Sequence, residues 1–435
     1  MAYEAFRQNA ESLGRPLRVL ISAYACEPER GSEQAVGWNS VCQAARFHEV
    51  WAITREKNRA AIEATLARQR MPNVHWVYFD LPRWARFWKD LGHGMHAYYY
   101  LWQLGAYFVA RKLHRKVGFG LVHHVTLVNY WMPSLLALLP VPFIWGPVGG
   151  GESAPHAFRR CLSVRGRLYE GVRDFAQNLG QLDPFVRLMA KRAALGIATT
   201  AETAVRLRSL GCPKVTVLSQ VGLPADEIVQ LGAFRVRQSS PFRLVSIGNL
   251  LHLKGFELGL RAFARFQSRL PATEYWIIGD GPERKRLERV AREFGVARSV
   301  TFWGTIPRCE VLEKLGECDA LVHPSLHDSG GLVCVEAMAA GRPVICLDLG
   351  GPALQVTAET GIKVPAVSPE LTVSDLAAAM ERLALDPGLR ARMAQAGRER
   401  VTQQFNWDRK GTQLAALCDE IACPKIEADL PLVRA

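Results

Sequence analysis

At 435 residues, the chain exceeds the size at which a single hydrophobic core usually keeps growing, so two domains are expected. Its 49% hydrophobic and 22% charged residues are typical of a soluble globular protein and exclude a disordered or fibrous one. A net charge of +13 favours acidic partners, but no basic heptads, metal-finger spacing or aromatic RNA-binding signature accompanies it, so no nucleic-acid partner is expected.

The expected compartment is the cytoplasm. The ten cysteines show no Cys-x-x-Cys spacing and several lie in apolar runs, which is typical of buried thiols in a reducing compartment. The first twenty residues lack the apolar core of a secretory signal, and the longest nearly apolar stretch, 97–110, is too short to span a bilayer.

Short β-branched runs alternate with helical-period segments along the whole chain, which predicts parallel sheets with crossover helices. The predicted strands cover 17–25, 49–54, 74–80, 120–126, 141–148 and 195–200, then 242–248, 274–280, 299–304, 319–325 and 342–348. Helices are predicted over 256–270 and 282–296. Glycine and proline interrupt the pattern at 219–227. The predicted fold class is therefore α/β, with two doubly wound Rossmann-like domains, 1–218 and 228–405, facing across a cleft.

Ligands bind beyond the carboxyl ends of the strands in such sheets, and four loops of the second half at these ends are rich in glycine or polar residues. Glycines before a helix allow a phosphate to approach backbone N–H groups. Lys254 stands at the start of a predicted helix, where a cation opposes the helix dipole and favours an anionic partner; a solvated charge is the alternative. The loops contain Gly248 and Asn249, residues 279–281, Gly304 and Thr305, and residues 323–331.

Glu336 is the only charged residue in the apolar run 330–341. Because burying an unpartnered carboxylate is costly, Glu336 must have a partner. Two alternatives remain: an internal salt bridge with Arg342 or Lys254, or two neighbouring hydroxyls such as a ribose diol offers. Asp328, eight positions earlier, is placed to face a second set of hydroxyls.

Asp328 and Glu336, with seven residues between them, resemble the paired-acid signature of the retaining glycosyltransferases of family four, which have the GT-B fold. The resemblance continues through "EAMAAGRPVI", "LGG" at 349–351, "GDGPE", "FWGTI" and the spacing from Gly248 to Lys254. In the first half it rests on "GSEQAVGW" and "GPVGGGE". It also includes "FNW" at 405–407, before a final helix within 406–435 that in this family returns to the first domain.

The resemblance implies a nucleotide-diphosphate-sugar donor, a glycan or lipid-linked glycan acceptor, and no cofactor. Glu336 would hold the ribose, 304–306 would flank the base, and Lys254 would meet the diphosphate beside backbone N–H groups of Gly331 and Leu332. Asp328 would contact the sugar. The implied donor-binding set is Gly31, Ser32, Gly248, Asn249, Gly279, Gly304, Thr305, Ile306, Ser329, Gly330, Gly331, Leu332, Val333 and Glu336.

Asn249 and Asp328 depart from the family pattern, which commonly has arginine and glutamate at these positions. The missing arginine removes one positive charge from the expected diphosphate site, and Arg308 and Arg55 are the candidates to supply it. Aspartate is one methylene shorter than glutamate, so the sugar must sit closer or a water must bridge.

His123 and His124 end a predicted strand and point to opposite faces of the sheet. One is expected to pack into the sheet and the other, His124, to reach the cleft as a catalytic-region contact for the acceptor; a core histidine is the alternative. The family often has a histidine two residues after another one here, but that spacing gives Val125. No HExxH, DxD or clustered Cys/His spacing occurs, so no metal is expected.

The favoured reaction is a front-face displacement in which a phosphate oxygen of the donor takes the acceptor proton. A double displacement needs a carboxylate nucleophile at the anomeric carbon, for which Asp328 is only a weak candidate. Lys254 and backbone N–H groups would stabilise the leaving diphosphate. Two alternatives remain open: a sugar-nucleotide epimerase or phosphorolytic enzyme on the same fold, and a degenerate, non-catalytic sugar-nucleotide-binding subunit.

Residues 83–119 carry seven Lys or Arg, one acidic residue and ten aromatic residues. This composition predicts a segment that attaches the protein to an anionic cytoplasmic leaflet near a lipid-linked acceptor. The alternative is that the aromatic residues belong to the core. A second basic patch consists of Arg159, Arg160, Arg165 and Arg167.

Overall fold

The computed structural model describes residues 16–28, 30–31, 33–82, 95–127, 129–161, 164–235 and 240–422. The first-domain strands are β1 (Arg18–Ser22), β2 (Glu49–Thr54), β3 (Val74–Tyr78), β4 (Leu121–His124), β5 (Phe143–Val148), β6 (Leu195–Ala198) and β7 (Val215–Val217). The second-domain strands are β8 (Phe242–Ile247), β9 (Thr273–Ile278), β10 (Val300–Gly304), β11 (Ala320–His323), β12 (Val344–Leu347) and β13 (Gly361–Val364).

Helices alternate with the strands along the first domain. They are α1 (Glu33–Ala44), α2 (Arg59–Arg68), α3 (Met95–Val117), α4 (Val164–Leu182), α5 (Pro184–Arg192) and α6 (Ala201–Ser209). The later helices are α7 (Ala225–Gly232), α8 (Phe256–Gln267), α9 (Arg284–Glu293), α10 (Arg308–Gly316), α11 (Leu332–Ala339), α12 (Gly350–Gln355), α13 (Pro369–Leu385), α14 (Pro387–Gln404) and α15 (Trp407–Ala422).

The strands form two separate parallel sheets. The first has seven strands in the order β3-β2-β1-β4-β5-β6-β7, and the second has six in the order β10-β9-β8-β11-β12-β13. In each sheet the chain order reverses at the central pair, β1 with β4 and β8 with β11. The carboxyl ends of these central strands are the expected ligand position in an open parallel sheet, so the topology directs attention to the loops after β1, β4, β8 and β11.

Helices cover both faces of each sheet, and the central strands are apolar for this reason. β6 (LGIA), β11 (ALVH) and β12 (VICL) are buried at every position. Strands of parallel sheets are buried on both faces and therefore show continuous apolar runs, without the alternation of a half-exposed strand. The fold prediction of two doubly wound α/β domains, the GT-B arrangement, is confirmed.

All eleven predicted strands are present, but several end up to three residues before the predicted end. The residues beyond these ends leave the ladder and form the loops at the cleft. The sequence analysis missed β7 and β13, which have three and four residues and lie at sheet edges. Segments this short carry too little pattern to distinguish a strand from a loop.

Two crossings of the chain join the domains. The first domain's sheet ends with β7, and α7 packs against α11 and α14 of the second domain. The backbone of Leu223 pairs with the second crossing, accepting from Trp407 N and donating to Phe405 O at 3.0 and 2.7 Å. From there α15 packs against α1 of the first domain, where Asp408 accepts from Gln43 and pairs with Arg46.

Within the described ranges, no helix is both long and apolar enough to cross a membrane.

Candidate functional site

A cavity of about 1340 Å³ lies between the domains, bordered by strand-end loops from both sheets. The first domain contributes the loops after β1, β4 and β5 and one side of α4. The second domain contributes the loops after β8 and β11 and the beginning of α11. The cationic side chains among the described lining residues are Arg173, Lys254 and Arg308.

Lys254 and Asp328 form the centre of the second-domain wall. Lys254 Nζ donates to Asp328 Oδ2, which also lies 3.2 Å from His323 Nε2. The other oxygen, Oδ1, accepts from the backbone N–H groups of Gly330 and Gly331 at 3.1 and 3.0 Å. One carboxylate thus fixes the lysine after β8 and the glycine loop before α11 in a single arrangement.

The contacts around Asp328 keep it ionised. Burial would raise the pKa of this carboxyl, but the hydrogen bond from His323 and the charge of Lys254 hold it well below its usual range. Its four partners occupy the acceptor sites that two carboxylate oxygens offer. The geometry gives Asp328 the task of holding Lys254 and the glycine loop. Because Asp328 also lines the cavity, its contact with the sugar stays a prediction.

Glu336 is buried at the cavity wall and has a partner that the sequence analysis did not consider for it. Its Oε1 lies 2.6 Å from Nη2 of Arg308, the first residue of α10. Arg342 does not pair with it, because its guanidinium donates to the carbonyl oxygens of Arg235 and Gly316. Lys254 pairs with Asp328. The suggested partners Arg342 and Lys254 are thus both wrong, although a salt bridge exists.

Arg308 is shared between Glu336 and Glu227. Burial raises the pKa of Glu336, and the charge of Arg308 opposes that rise. Burial would lower the pKa of Arg308, but the two carboxylates raise it. Because both acids compete for this guanidinium, Arg308 is not a free cation for a diphosphate. Arg55, the other candidate, pairs with Asp80 at 3.5 Å and does not line the cavity.

The cavity brings together most of the predicted catalytic and donor-binding residues. Those lining it are Gly31, Gly248, Asn249, Lys254, Asp328, Ser329, Gly330, Gly331, Leu332, Val333 and Glu336. Those described but absent from the lining are His124, Gly279, Gly304, Thr305 and Ile306. Ser32 lies outside the described residues.

Gly279 and Gly331 show two different uses of glycine. A Cβ on Gly279, which has φ +132°, would lie 2.0 Å from the carbonyl oxygen of Gly248, so this glycine supports the loop above it. Gly331 takes a left-handed conformation, φ 63°, directly before α11. The first N–H groups of a helix have no hydrogen-bond partner within the helix. Leu332 and Val333 line the cavity, so their N–H groups are placed to donate hydrogen bonds to a ligand.

The prediction that His124 reaches the cleft is wrong. His123 and His124 are both buried: His123 Nε2 lies 2.7 Å from the carbonyl oxygen of Gly146, and His124 Nε2 lies 3.0 Å from the hydroxyl of Tyr99. Burial lowers the pKa of His123 to about 4 and that of His124 to about 3. Both are neutral core histidines, which was the alternative, because helices cover both faces of β4.

The sequence analysis missed the polar residues that connect the first domain to the Asp328 loop. Arg173 of α4 donates to the carbonyl oxygen of Glu152 at 2.7 Å and contacts Nε2 of His327 at 2.8 Å. An arginine only donates, so Nε2 of His327 accepts and its proton lies on Nδ1. Burial, together with the nearby Arg173, lowers the pKa of His327 to about 3, so this cavity-lining imidazole is neutral.

Glu152 follows the glycines of "GPVGGGE" and organises the loop after β5. Its Oε1 accepts from the hydroxyls of Thr200 and Thr203 at 2.6 and 2.9 Å, and its Oε2 accepts from Gly150 N at 3.0 Å. The glycine run was visible in the sequence, but nothing in it indicated that two threonines about fifty positions later would bind the following carboxylate.

Of the seven aromatic residues of segment 83–119 that the structure describes, four belong to the core. Tyr98, Tyr99, Trp102 and Phe119 are buried, which was the alternative to an aromatic belt, whereas Phe108 is exposed. Residues 83–94, with Arg83, Arg86 and Lys89, lie outside the described residues, as do the side chains of Arg160 and Arg165. In the second basic patch, Arg159 pairs with Asp174.

In the described part of the chain, no group of three or more His, Cys, Asp or Glu side chains is arranged to hold a metal ion.

Residues 234–400 match the family model described as glycosyl transferases group 1. Among curated relatives, a glycogen synthase of Mycobacterium tuberculosis is 34% identical over 211 residues, which is 46% of this chain and 50% of the relative. The match thus spans about half the length of that relative. A putative colanic acid biosynthesis glycosyltransferase, WcaL of Salmonella typhimurium, is 26% identical over 67% of this chain and 75% of its own length.

The fold is also that of known structures. The structure of HepE from Anabaena in complex with UDP and glucose superposes with a TM-score of 0.60 at 16% identity, covering 92% of this chain and 99% of the other. At this level of identity the likeness establishes the two-domain architecture.

Proposed function

We propose that this chain, whose residues 234–400 match the family model of the glycosyl transferases group 1, is a glycosyltransferase. It would transfer a sugar from a nucleotide-diphosphate sugar to a glycan or lipid-linked glycan, with retention of configuration and without a metal ion. The observation that carries the proposal is the fixed cation at the cavity wall: Lys254, held by Asp328 directly beside the beginning of α11. A lysine and helix N–H groups together form a site for a diphosphate.

The contacts of each carboxylate support a division of tasks. Asp328 has four donors, so it is occupied as a hydrogen-bond acceptor and is not available as a nucleophile. This supports a front-face displacement, in which a donor phosphate oxygen takes the acceptor proton. Lys254 stabilises the negative charge that develops on the leaving diphosphate, where preorganised donors have their largest effect.

Glu336 is proposed to accept hydrogen bonds from the ribose hydroxyls of the donor. The carboxylate is at the cavity wall, and its pairing with Arg308 keeps it oriented while lone pairs remain for a diol. HepE is known with UDP and glucose, so a uridine nucleotide is the first donor to test.

A role in bacterial surface polysaccharide synthesis is proposed from the relative WcaL, with the protein acting at the inner face of the cell membrane. The basic part of segment 83–119 supports this, because Arg111, Lys112, Arg115 and Lys116 are all exposed on α3.

The test follows turnover of nucleotide-diphosphate sugars by proton NMR, with water or a simple glycoside as acceptor and a chelator in the buffer. The expected first product is the α-anomer from an α-linked donor. An inverted first product, or activity that disappears with the chelator and returns with magnesium or manganese, would overturn the retaining or the metal-free part of the proposal.

A further inference from the structure

Helix α4 turns a polar side toward the rest of the protein. Glu170, Arg173 and Gln177 share this side, since they follow one another at intervals of three and four residues. Glu170 and Gln177 are both buried. Gln177 donates to the carbonyl oxygen of Gly150 at 3.0 Å, and Arg173 donates to the carbonyl oxygens of Gly150 and Glu152. These bonds hold α4 on the loop after β5, with Glu170 directed inward.

Glu170 is a buried carboxylate whose two oxygens have no hydrogen-bond partner among the described residues. Its Oε2 faces Nη1 of Arg173 at 3.5 Å, and its Oε1 faces Nε2 of His252 at 3.7 Å. Both nitrogens are also buried and lack a hydrogen bond within the described ranges. Buried polar atoms normally have partners, and these four face one another across gaps slightly longer than an N–H···O bond of about 2.7–3.2 Å.

His252 belongs to the second domain and begins the turn that presents Lys254. This turn, His252–Lys254, lies in the loop after β8. On its own domain it is held by the backbone, because Leu326 N donates to the carbonyl oxygen of Leu253 at 2.8 Å. Glu170 contacts the same turn from the opposite domain.

Helix α4 thus contacts both segments that carry the ion pair at the centre of the second-domain wall. Glu170 faces His252, two positions before the lysine, and Arg173 contacts Nε2 of His327, one position before the aspartate, at 2.8 Å. Neither Glu170 nor His252 lines the cavity, so neither would touch the donor. Their effect on the reaction has to pass through Lys254.

We propose that Glu170 and His252 are positioning residues that seat Lys254 from the first domain. The inference rests on the proposed function, in which Lys254 stabilises the leaving diphosphate. A shift of α4 toward the turn by less than about 1 Å converts the two gaps into charge-assisted hydrogen bonds. Because the charge on the leaving group develops only in the transition state, a poorly seated lysine lowers the rate more than the affinity.

The test is a double-mutant cycle on kcat with the full chain. Glu170→Gln keeps the shape of the side chain and removes its charge, and it is measured alone and together with Lys254→Ala. Glu293→Gln, the same change at an exposed position of α9, is the control. Turnover is measured with whichever of UDP-glucose, ADP-glucose and GDP-glucose the wild type uses fastest. Calorimetry with the corresponding nucleoside diphosphate gives affinity and stoichiometry.

Glu170→Gln is expected to lower kcat about tenfold and to change the affinity for the nucleoside diphosphate less than about twofold, with the stoichiometry of the wild type. In the Lys254→Ala background the same substitution should change kcat less than about twofold, because the lysine on which it acts is gone. A purely structural contribution of Glu170 would lower kcat by the same factor in both backgrounds.

His252 gives a second set of variants, which applies even when Glu170→Gln fails to fold. His252→Phe keeps a ring against Tyr169, whose centroid lies 5.6 Å from that of the imidazole, and removes the nitrogen that faces Glu170. It should lower kcat about as much as Glu170→Gln does. His252→Gln should restore most of the rate, since its side-chain amide still offers a donor.

Two results would overturn the inference. They are an equal loss of kcat from Glu170→Gln with and without Lys254, and a His252→Phe variant that turns over the donor as fast as the wild type. A wild-type kcat for Lys254→Ala would instead contradict the proposed leaving-group role, and the inference would fall with it.

Discussion

The two walls of the cavity are built differently. The second-domain wall is polar and its charges are paired with one another: Lys254 with Asp328, and Arg308 with Glu336. The first-domain wall is largely apolar, with one side of α4 facing the space and Arg173 reaching across to His327. A wall of paired charges suits a ligand of fixed shape and charge, such as a nucleotide diphosphate, whereas an apolar wall suits a larger and more variable partner.

This difference predicts that substitutions in the second-domain wall affect donor chemistry, whereas those in the first-domain wall affect the acceptor side or stability.

The largest effect is expected for Lys254→Ala. Because Lys254 would stabilise the leaving diphosphate, its loss should lower kcat about 100- to 1,000-fold, or about 3–4 kcal/mol, with a smaller effect on donor affinity. Steady-state and single-turnover kinetics measure this. Lys285→Ala, an exposed lysine on α9, is the control. A variant with weaker affinity and an unchanged maximal rate would show that Lys254 only binds.

Glu336 tests whether the second-domain wall binds the nucleoside part of the donor. Glu336→Ala should weaken binding of the nucleotide-diphosphate sugar by at least about tenfold, or 1.4 kcal/mol, because two ribose hydroxyls lose their acceptor. Glu336→Gln should retain part of the affinity, since its carbonyl oxygen still accepts. Calorimetric titration measures both. If Glu336→Ala folds and binds the donor like the wild type, Glu336 serves only to pair with Arg308.

Asp328→Asn separates charge from hydrogen bonding at the centre of the same wall. The amide oxygen can still accept from Gly330 N and Gly331 N, but Lys254 loses its counter-charge, and we expect a loss of about 1–3 kcal/mol in the free energy of unfolding.

The pH dependence of that loss has a definite sign. The folded-state pKa of Asp328 is depressed, so the unfolded state, with a pKa of about 3.9, binds more protons in the interval between the two values. The contribution of the carboxylate to stability is therefore complete above about pH 5 and is lost as the pH falls below about 4. Urea unfolding at several pH values should show the wild type and Asp328→Asn converging in acid. Parallel curves would contradict the assigned pairing.

The smallest effect on activity is expected in the first domain, at the buried histidines. Tyr99→Phe removes the hydroxyl beside His124 Nε2 and leaves that nitrogen without its partner, so it should lower the free energy of unfolding by about 1–3 kcal/mol. KM values for donor and acceptor should not change, because neither residue lines the cavity. A selective rise in the KM for the acceptor would restore the original expectation for His124.

The difference between the two walls also explains which site residues could be predicted from the sequence. Gly248, Lys254 and Gly330 were found because they lie in loops that follow strands, where local backbone geometry and charge dictate the residue type. Glu336 was found because it is the only charged residue of an apolar run that forms a helix. The partner of Glu336 was not found, since Arg308 lies 28 positions earlier and only the tertiary structure brings the two side chains together.

In the first domain, the relevant information is tertiary. The aromatic residues Tyr98, Tyr99 and Trp102 look like an interfacial cluster in sequence, but the neighbouring helices and sheet bury them. The apolar periodicity of α4 looks like that of an ordinary packed helix, and only the structure shows that Gln177 and Arg173 occupy its inner side. Helical periodicity indicates that a helix has an apolar side but not which way that side faces.

The central claim is that the second-domain wall holds the diphosphate and the nucleoside of an activated sugar. A thermal-shift panel of nucleosides, inorganic diphosphate, nucleoside diphosphates and their sugar conjugates tests it most directly, because a ligand that binds the folded state raises the melting temperature by mass action. The account predicts that at least one nucleoside diphosphate and its sugar conjugate raise Tm, whereas the free nucleoside and diphosphate alone have much smaller effects. No shift with any nucleoside diphosphate or sugar conjugate, or an equal shift with free nucleoside, would contradict it.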